Sequence, residues 1–343
     1  MLLGPGFLQS SDRLVRVHPS LPQGWRLIPI AVISQCVPAC VVVLGLLAGM
    51  PARAQTESPS QISTEIGFGY ESQTTALVRL SPQGELINID GLQRLGGSHV
   101  RLGIQGNAHW QLGAGLGLSL SADASSKRAP GASDFDFSMI SFQPEAHLAI
   151  PSGSLGWGLT LQRMEVAGRP FRDVTGTQVN WTRVEDSGSM WSAVADITSN
   201  RHQEYTDLDA TGTSLSLQRH WAKPVRGLES IDLALYLSRE RNSRGFDELS
   251  YRNVMLSASM QWQLLNLTWS AGTSLQKIQF DDTAFSDSVG RVDQSVGFEL
   301  SAEHELSSSS TLRLEFSTVR STSTIAMYDN AYQQIAVKVR TAW

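Results

Sequence analysis

The chain has 343 residues, 41% of them hydrophobic and only 17% charged, with two cysteines and a formal net charge of −5. That apolar content excludes disorder as a description of the whole. The charged fraction lies below the roughly 25% of soluble domains, so something other than a charged skin must satisfy the surface. The lack of a basic excess argues against nucleic acid as a partner.

The first 54 residues read as an export signal. Arg13, Arg16 and Arg26 precede an apolar stretch over residues 27–48, and Ala52-Arg53-Ala54 supplies a small-x-small cleavage site, so cleavage is expected after Ala54. A retained membrane anchor is the rival reading, disfavoured because Pro29 and Pro38 interrupt the stretch. A lipoprotein signal ending at Cys40 is weaker still, since the residues after Cys40 stay apolar. Cleavage removes Cys36 and Cys40, leaving a thiol-free chain whose only lysines are Lys127, Lys223, Lys277 and Lys338. The expected organisation is a signal peptide over 1–54, a short periplasmic tail over 55–61 and one domain over 62–343.

That domain alternates with period two. Leu116, Leu118, Leu120 and Ala122 take turns with Gly117, Ser119 and Ser121, and Val254, Leu256, Ala258, Met260 and Trp262 with Met255, Ser257, Ser259 and Gln261. A polar residue at every second position would ring a helix with polarity, whereas a strand sorts the same residues onto two faces. The pattern recurs through Leu155–Leu161, Trp191–Ile197, Ile231–Leu237, Leu267–Ala271, Val296–Ala302 and Leu312–Phe316, and ends with Ile335, Val337, Val339 and Trp343. Short polar turns near 113, 152, 187, 225, 265 and 308 alternate with longer segments at 72–94, 127–133, 166–171, 199–209, 240–250, 280–291 and 320–330. These connections predict an all-β fold: a transmembrane antiparallel up-and-down β-barrel of about 14 strands, each about 11 residues long. A closed sheet meets the rule that every backbone group in hydrocarbon needs a partner. An exported β-sandwich is the competing architecture, but hairpins near forty residues long are foreign to it.

By this register Gln105, Asn107, Thr160, Gln162, Asp232, Glu299, Glu303, Arg313, Glu315, Lys338 and Arg340 face the lumen. Charges of both signs there predict a hydrated or cross-braced interior. Trp110, Trp157, Trp181, Trp191, Trp221, Trp262, Trp269 and Trp343 fit aromatic girdles at the lipid interface. The C-terminal set Ile335, Val337, Val339 and Trp343 resembles the signature by which the barrel-assembly machinery recognises its substrates. Other expected partners are outer-membrane lipids and lipopolysaccharide, and the expected location is the bacterial outer membrane.

Chemistry has little support in the sequence. Gly113-x-Gly115-x-Gly117 opens no helix and so offers no phosphate cradle. His202 with Glu204, Asp207 and Asp209, and the trio Asp281, Asp282 and Asp287, read as exposed acidic loops before metal or hydrolytic sites. No enzyme, cofactor or metal is expected.

Several stretches resemble a known family. Arg291-Val-Asp293, residues 312–317, Ser323-Thr-Ile-Ala-Met-Tyr-Asp329 and the last strand with its terminal aromatic are similar in layout to the C-terminal barrel of the surface lipoprotein assembly modifier (Slam) family. Gly168-Arg-Pro-Phe171 followed by Gly176-Thr-Gln-Val-Asn-Trp181 adds to the likeness. The resemblance, to the barrel without the tetratricopeptide domain that usually precedes it, implies help in moving lipoproteins across the outer membrane to the surface. The alternative is a porin-like channel for ions or small solutes.

Overall fold

A strand with one apolar and one polar face can hide neither alone. In the computed structural model, strands of this kind join edge to edge until the sheet meets itself. The structure describes residues 61–74, 78–80, 86–88, 95–113, 115–130, 136–203, 205–282, 290–325 and 328–343. The expected signal peptide, Ala52 and Ala54 lie outside the described residues, as does most of the 72–94 segment. The strands are β1 (Gln61–Thr74), β2 (Val78–Leu80), β3 (Leu86–Asn88), β4 (Leu95–Gly113), β5 (Leu116–Arg128), β6 (Phe137–Ile150), β7 (Gly153–Val166) and β8 (Arg169–Val184). They continue as β9 (Met190–His202), β10 (Ala210–Ala222), β11 (Leu228–Asn242), β12 (Tyr251–Leu264), β13 (Leu267–Phe280), β14 (Val292–Ser307), β15 (Ser310–Ser323) and β16 (Asn330–Ala342). All except β2 and β3, which form a separate hairpin, make one closed antiparallel barrel of 14 strands in sequence order. The expected fold is the observed one.

Closure is complete at the seam. β1 pairs with β16 from Ser63↔Ala342 to Glu71↔Gln334, and Trp343 N donates to Ile62 O at 2.8 Å beyond the end of β16. Both chain ends of the barrel thus lie with the short turns, at what is here called the turn end; the opposite rim is the loop end.

The register fixes the faces. Ile66 opposes Val339 and Leu102, Leu256 opposes Leu235 and Leu275, and Leu314 opposes Val337 and Ala302, so the apolar sets form continuous rows. Of these, Ile66, Leu256, Leu275, Leu314, Val337 and Val339 are exposed on the outer surface and Leu102, Leu235 and Ala302 are half-buried. On β12 the band runs from Val254 to Leu264, ten steps of about 3.3 Å inclined by about 40°, which is about 25 Å tall. That matches the hydrocarbon a barrel must cross. Among the described residues the buried hydrophobic cluster is small, Ala108, Trp110 and Leu120 with Phe142 against it, and the register puts it on the outer face. No described helix is long and apolar enough to cross a membrane.

Two expectations need correction. The barrel strands are longer than about 11 residues, from 13 in β10 to 19 in β4, because they continue past the apolar band at both ends. The segment at 166–171 is not a long loop: Ala167 (φ 52°) and Gly168 (φ 74°) alone join β7 to β8, in the left-handed region that matches hairpin twist. Arg169, Pro170 and Phe171 belong to β8, and the ladder absorbs Pro170 through a bulge between Met164 and Glu165. β12 and β13 are joined in the same way by Leu265 and Asn266, both at positive φ.

Candidate functional site

Every lumen position expected from the sequence does face inward: Gln105, Asn107, Thr160, Gln162, Asp232, Glu299, Glu303, Arg313, Glu315, Lys338 and Arg340 share the face opposite the apolar rows. Fourteen strands about 4.8 Å apart and inclined by about 40° close a ring roughly 28 Å across at the backbone. Side chains from both walls leave a gap on the order of 15 Å between the described strands. Gln105, Asn107, Glu299 and Arg340 are exposed within it.

The inner wall is braced by bonds that skip a strand. Glu145 of β6 reaches over β7 to Asn180 and to Gln178 of β8, the latter at 3.2 Å. Gly156 makes this possible, because a Cβ there would run into both Glu145 and Asn180. Asn200 of β9 reaches Glu240 of β11 at 3.1 Å across β10.

Two charge networks stand on the wall formed by β15, β16, β1, β4 and β5. Toward the loop end, Glu71 is 3% exposed and accepts from Lys127, with Arg101 and His99 each 3.6 Å away. Gln334 of β16 meets His99 across β1 at 3.4 Å. Toward the turn end, Lys338 lies 2.7 Å from Glu315 and 3.7 Å from Glu65, and Arg313 lies 2.9 Å from Glu315. On this wall acids and bases neutralise one another.

The facing wall is different. From β6 to β14 the inward strand acids are Glu145, Asp196, Asp232, Glu240, Asp293, Glu299, Glu303 and Glu305. Apart from histidines, the inward strand cations there are Arg169 and Arg172, at the loop end, and Arg291, just before β14, pairs with Asp293 at 2.8 Å. Asp196 accepts from Ser214, and Asp232 pairs with His220 at 2.8 Å. Counting both walls, inward strand acids outnumber inward lysines and arginines by twelve to seven: the twelve acids are these eight with Glu65, Glu71, Asp123 and Glu315, and the seven bases are Arg101, Lys127, Arg169, Arg172, Arg313, Lys338 and Arg340. The lumen is therefore acidic, with five of its seven inward strand cations on the wall of β15, β16, β1, β4 and β5.

One side-chain series was invisible in the sequence. Ser119 Oγ lies 2.6 Å from His147 Nε2, and His147 Nδ1 lies 2.9 Å from Glu145 Oε1. The three sit side by side because Ser119 on β5 is directly opposite Glu145 on β6. Its composition is that of an acyl-transfer triad, but the backbone N–H groups of neighbouring strands are committed to the ladder. An oxyanion would find no backbone donor pair here.

The loop residues behave less uniformly than exposed acidic loops. His202 is buried edge-on against Phe171, ring centroids 5.4 Å apart, and its backbone N–H donates to Asp209 Oδ1 at 2.7 Å. Burial opposes ionisation of Asp209, yet the His202 N–H and Arg201 hold its carboxyl below the usual carboxylate range. Asp207 is exposed, while Glu204 and Asp287 lie outside the described residues. Asp281 lies 3.2 Å from Arg239. Among the described residues no group of three or more His, Cys, Asp or Glu could hold a metal ion.

At the turn end, Arg219 is held between Trp191 and Trp221, 4.8 and 5.4 Å from their ring centroids. It donates to both oxygens of Glu185 at 2.8 and 2.7 Å, and these bonds pull the Glu185 carboxyl below its ordinary range. Trp262 stacks on Trp269 nearby, centroids 6.4 Å apart. Ile335, Val337 and Val339 face outward on β16, and Trp343 projects past its end, 77% exposed.

A closed antiparallel ring, an apolar outer band of bilayer height and a wet, charged interior define an outer-membrane β-barrel. No protein-family model and no curated protein matches the chain. Solved structures similar to it include the outer-membrane protein OmpT of Vibrio cholerae, 8% identical with a TM-score of 0.45, covering 83% of this chain and 99% of that one. Another is OccK9 of Pseudomonas aeruginosa, 8% identical with a TM-score of 0.43, covering 83% and 98%. A bacterial polysaccharide outer membrane secretin is 8% identical with a TM-score of 0.44, covering 84% and 100%.

Proposed function

We propose that this barrel is a channel of the bacterial outer membrane that passes small cations in preference to anions. The observation that carries the reading is the excess of carboxylates, twelve to seven, among lumen-facing strand charges. Rings of Asp and Glu with low-dielectric walls concentrate cations and exclude anions. Single-channel recording in planar bilayers under a KCl gradient tests it. The expected result is a reversal potential of the sign set by cation flow, moving toward zero in Glu299→Gln/Glu303→Gln. A closed bilayer or an anion-selective pore overturns the reading.

The Slam resemblance favours a second role, display of a surface lipoprotein, on the strength of the C-terminal layout. The continuous pairing of β1 with β16 argues that any such passage would use the lumen and not the seam. Deletion of the gene followed by surface labelling of lipoproteins tests this role; unchanged labelling overturns it. Assembly rests on the outward row Ile335, Val337 and Val339 with Trp343, offered to the barrel-assembly machinery after export. Deleting Trp343 is expected to lower the amount of folded barrel in the membrane.

A further inference from the structure

Outward charges on the strands are sorted by height. At the turn end the interface is aromatic: Trp110, Trp181, Trp191, Trp221, Trp262 and Trp269 all lie within four residues of a turn-end strand terminus. At the loop end the same level is held by cations. Arg163 follows Leu161, Arg239 follows Leu237, Lys277 follows Leu275, and Arg252 stands above Val254, each one outward step past the last apolar residue.

The densest group lies on β11 to β13. Arg239 and Arg252 are directly opposite each other, Arg241 is one outward step higher on β11, and Lys277 is opposite Val254 on β13. Like charges placed opposite on one face repel. Asp281 lies 3.2 Å from Arg239 and 3.7 Å from Arg252, but with Asp282 it gives two carboxylates to four cations. Among the described residues neither Arg241 nor Lys277 forms an ion pair. The side chains of Arg239 and Arg252 are exposed, at the level where the apolar band gives way to headgroups.

We propose that this outward patch, Arg239, Arg241, Arg252 and Lys277, binds the phosphates of lipopolysaccharide in the outer leaflet. The loop end is the end that meets that leaflet. Basic clusters between or beside membrane-spanning elements recognise anionic headgroups, and arginine grips phosphate through a planar fork. The patch is two strand spacings wide, about 10 Å, a width that suits a glycolipid carrying more than one phosphate better than a phospholipid carrying one. The inference rests on the outer-membrane placement and is independent of what the lumen passes.

The test uses the full processed chain, refolded in detergent and titrated with purified lipopolysaccharide, with the same material after enzymatic dephosphorylation, and with phosphatidylglycerol. Wild type is expected to bind the first much more tightly than the other two. Arg239→Gln/Arg252→Gln/Lys277→Gln is expected to weaken it by on the order of a hundred-fold, about five-fold per cation. Arg183→Gln, an outward cation at the turn end, is expected to change nothing. Unchanged affinity in the triple variant overturns the proposal, as does equal binding of phosphatidylglycerol. If the triple variant gives no heat-modifiable barrel, wild type alone decides: equal affinity for native and dephosphorylated lipopolysaccharide overturns the proposal.

Discussion

Met260 and Ser259 are chain neighbours near mid-height of the band on β12, one against lipid and one against water. Met260 is 46% exposed on the outer surface, opposite Ile231 and Ala271, whereas Ser259 is opposite Asp232 and Gly272 inside. Replacing Met260 by Arg places a guanidinium in hydrocarbon near the midplane, a cost of about 2–4 kcal/mol. That corresponds to roughly a 30- to 900-fold loss in the folding equilibrium. Replacing Ser259 by Arg puts the same group in the wet lumen opposite Asp232 and Gly272, with a change of about 0.5 kcal/mol or less. Equilibrium unfolding in denaturant, with the protein inserted in lipid vesicles, measures both. Equal destabilisation by the two substitutions, or a larger loss at Ser259, would refute the assignment of faces.

Other consequences follow from single contacts. Gly156→Ala should lose about 1–3 kcal/mol, because the added Cβ meets Glu145 and Asn180 and parts the bond between them; unfolding midpoints check this, and an unchanged midpoint counts against the strand-skipping brace. Glu185 is held below its ordinary value of 4.5 by Arg219. Its contribution is thus present above that value and lost as pH falls through the lower, folded one. Glu185→Gln should therefore be less stable than wild type at pH 7, with the gap shrinking as pH falls below 4.5, and a gap that does not change with pH contradicts the clasp. Ser119→Ala should leave hydrolysis of p-nitrophenyl butyrate at the level of wild type; activity that vanishes with the hydroxyl would make the lumen an active site.

The barrel was legible because lipid on one side and water on the other force a period of two, which no helix shares. Turns were legible where Gly, Pro, Asn or Ser clusters interrupt the pattern, as at Pro151-Ser152-Gly153. They were misread at 166–171, where the charged, proline-containing run Arg169-Pro170-Phe171 looks like a loop but is paired as strand. Strand length was underestimated because polar residues beyond the band alternate without hydrophobic contrast, as in Arg239 to Asn242. Contacts across strands were out of reach: nothing in the spacing of Ser119, Glu145 and His147 reveals that the register brings them together. The loop-end cations were within reach and overlooked. In Leu161-Gln-Arg163, Leu237-Ser-Arg239 and Leu275-Gln-Lys277 a base takes the outward position directly after the last apolar residue. That is the signal of a side chain reaching from the oil up to a headgroup.

The most direct test of the account is a scan of single cysteines along β12 from Val254 to Gln261, in chains whose Cys36 and Cys40 have been replaced by serine. A water-soluble maleimide applied to intact outer-membrane vesicles should label substitutions at Ser257, Ser259 and Gln261 and spare those at Val254, Leu256, Ala258 and Met260. Labelling of every position alike, or with a repeat of three to four residues, would contradict a closed barrel with lipid outside and water within.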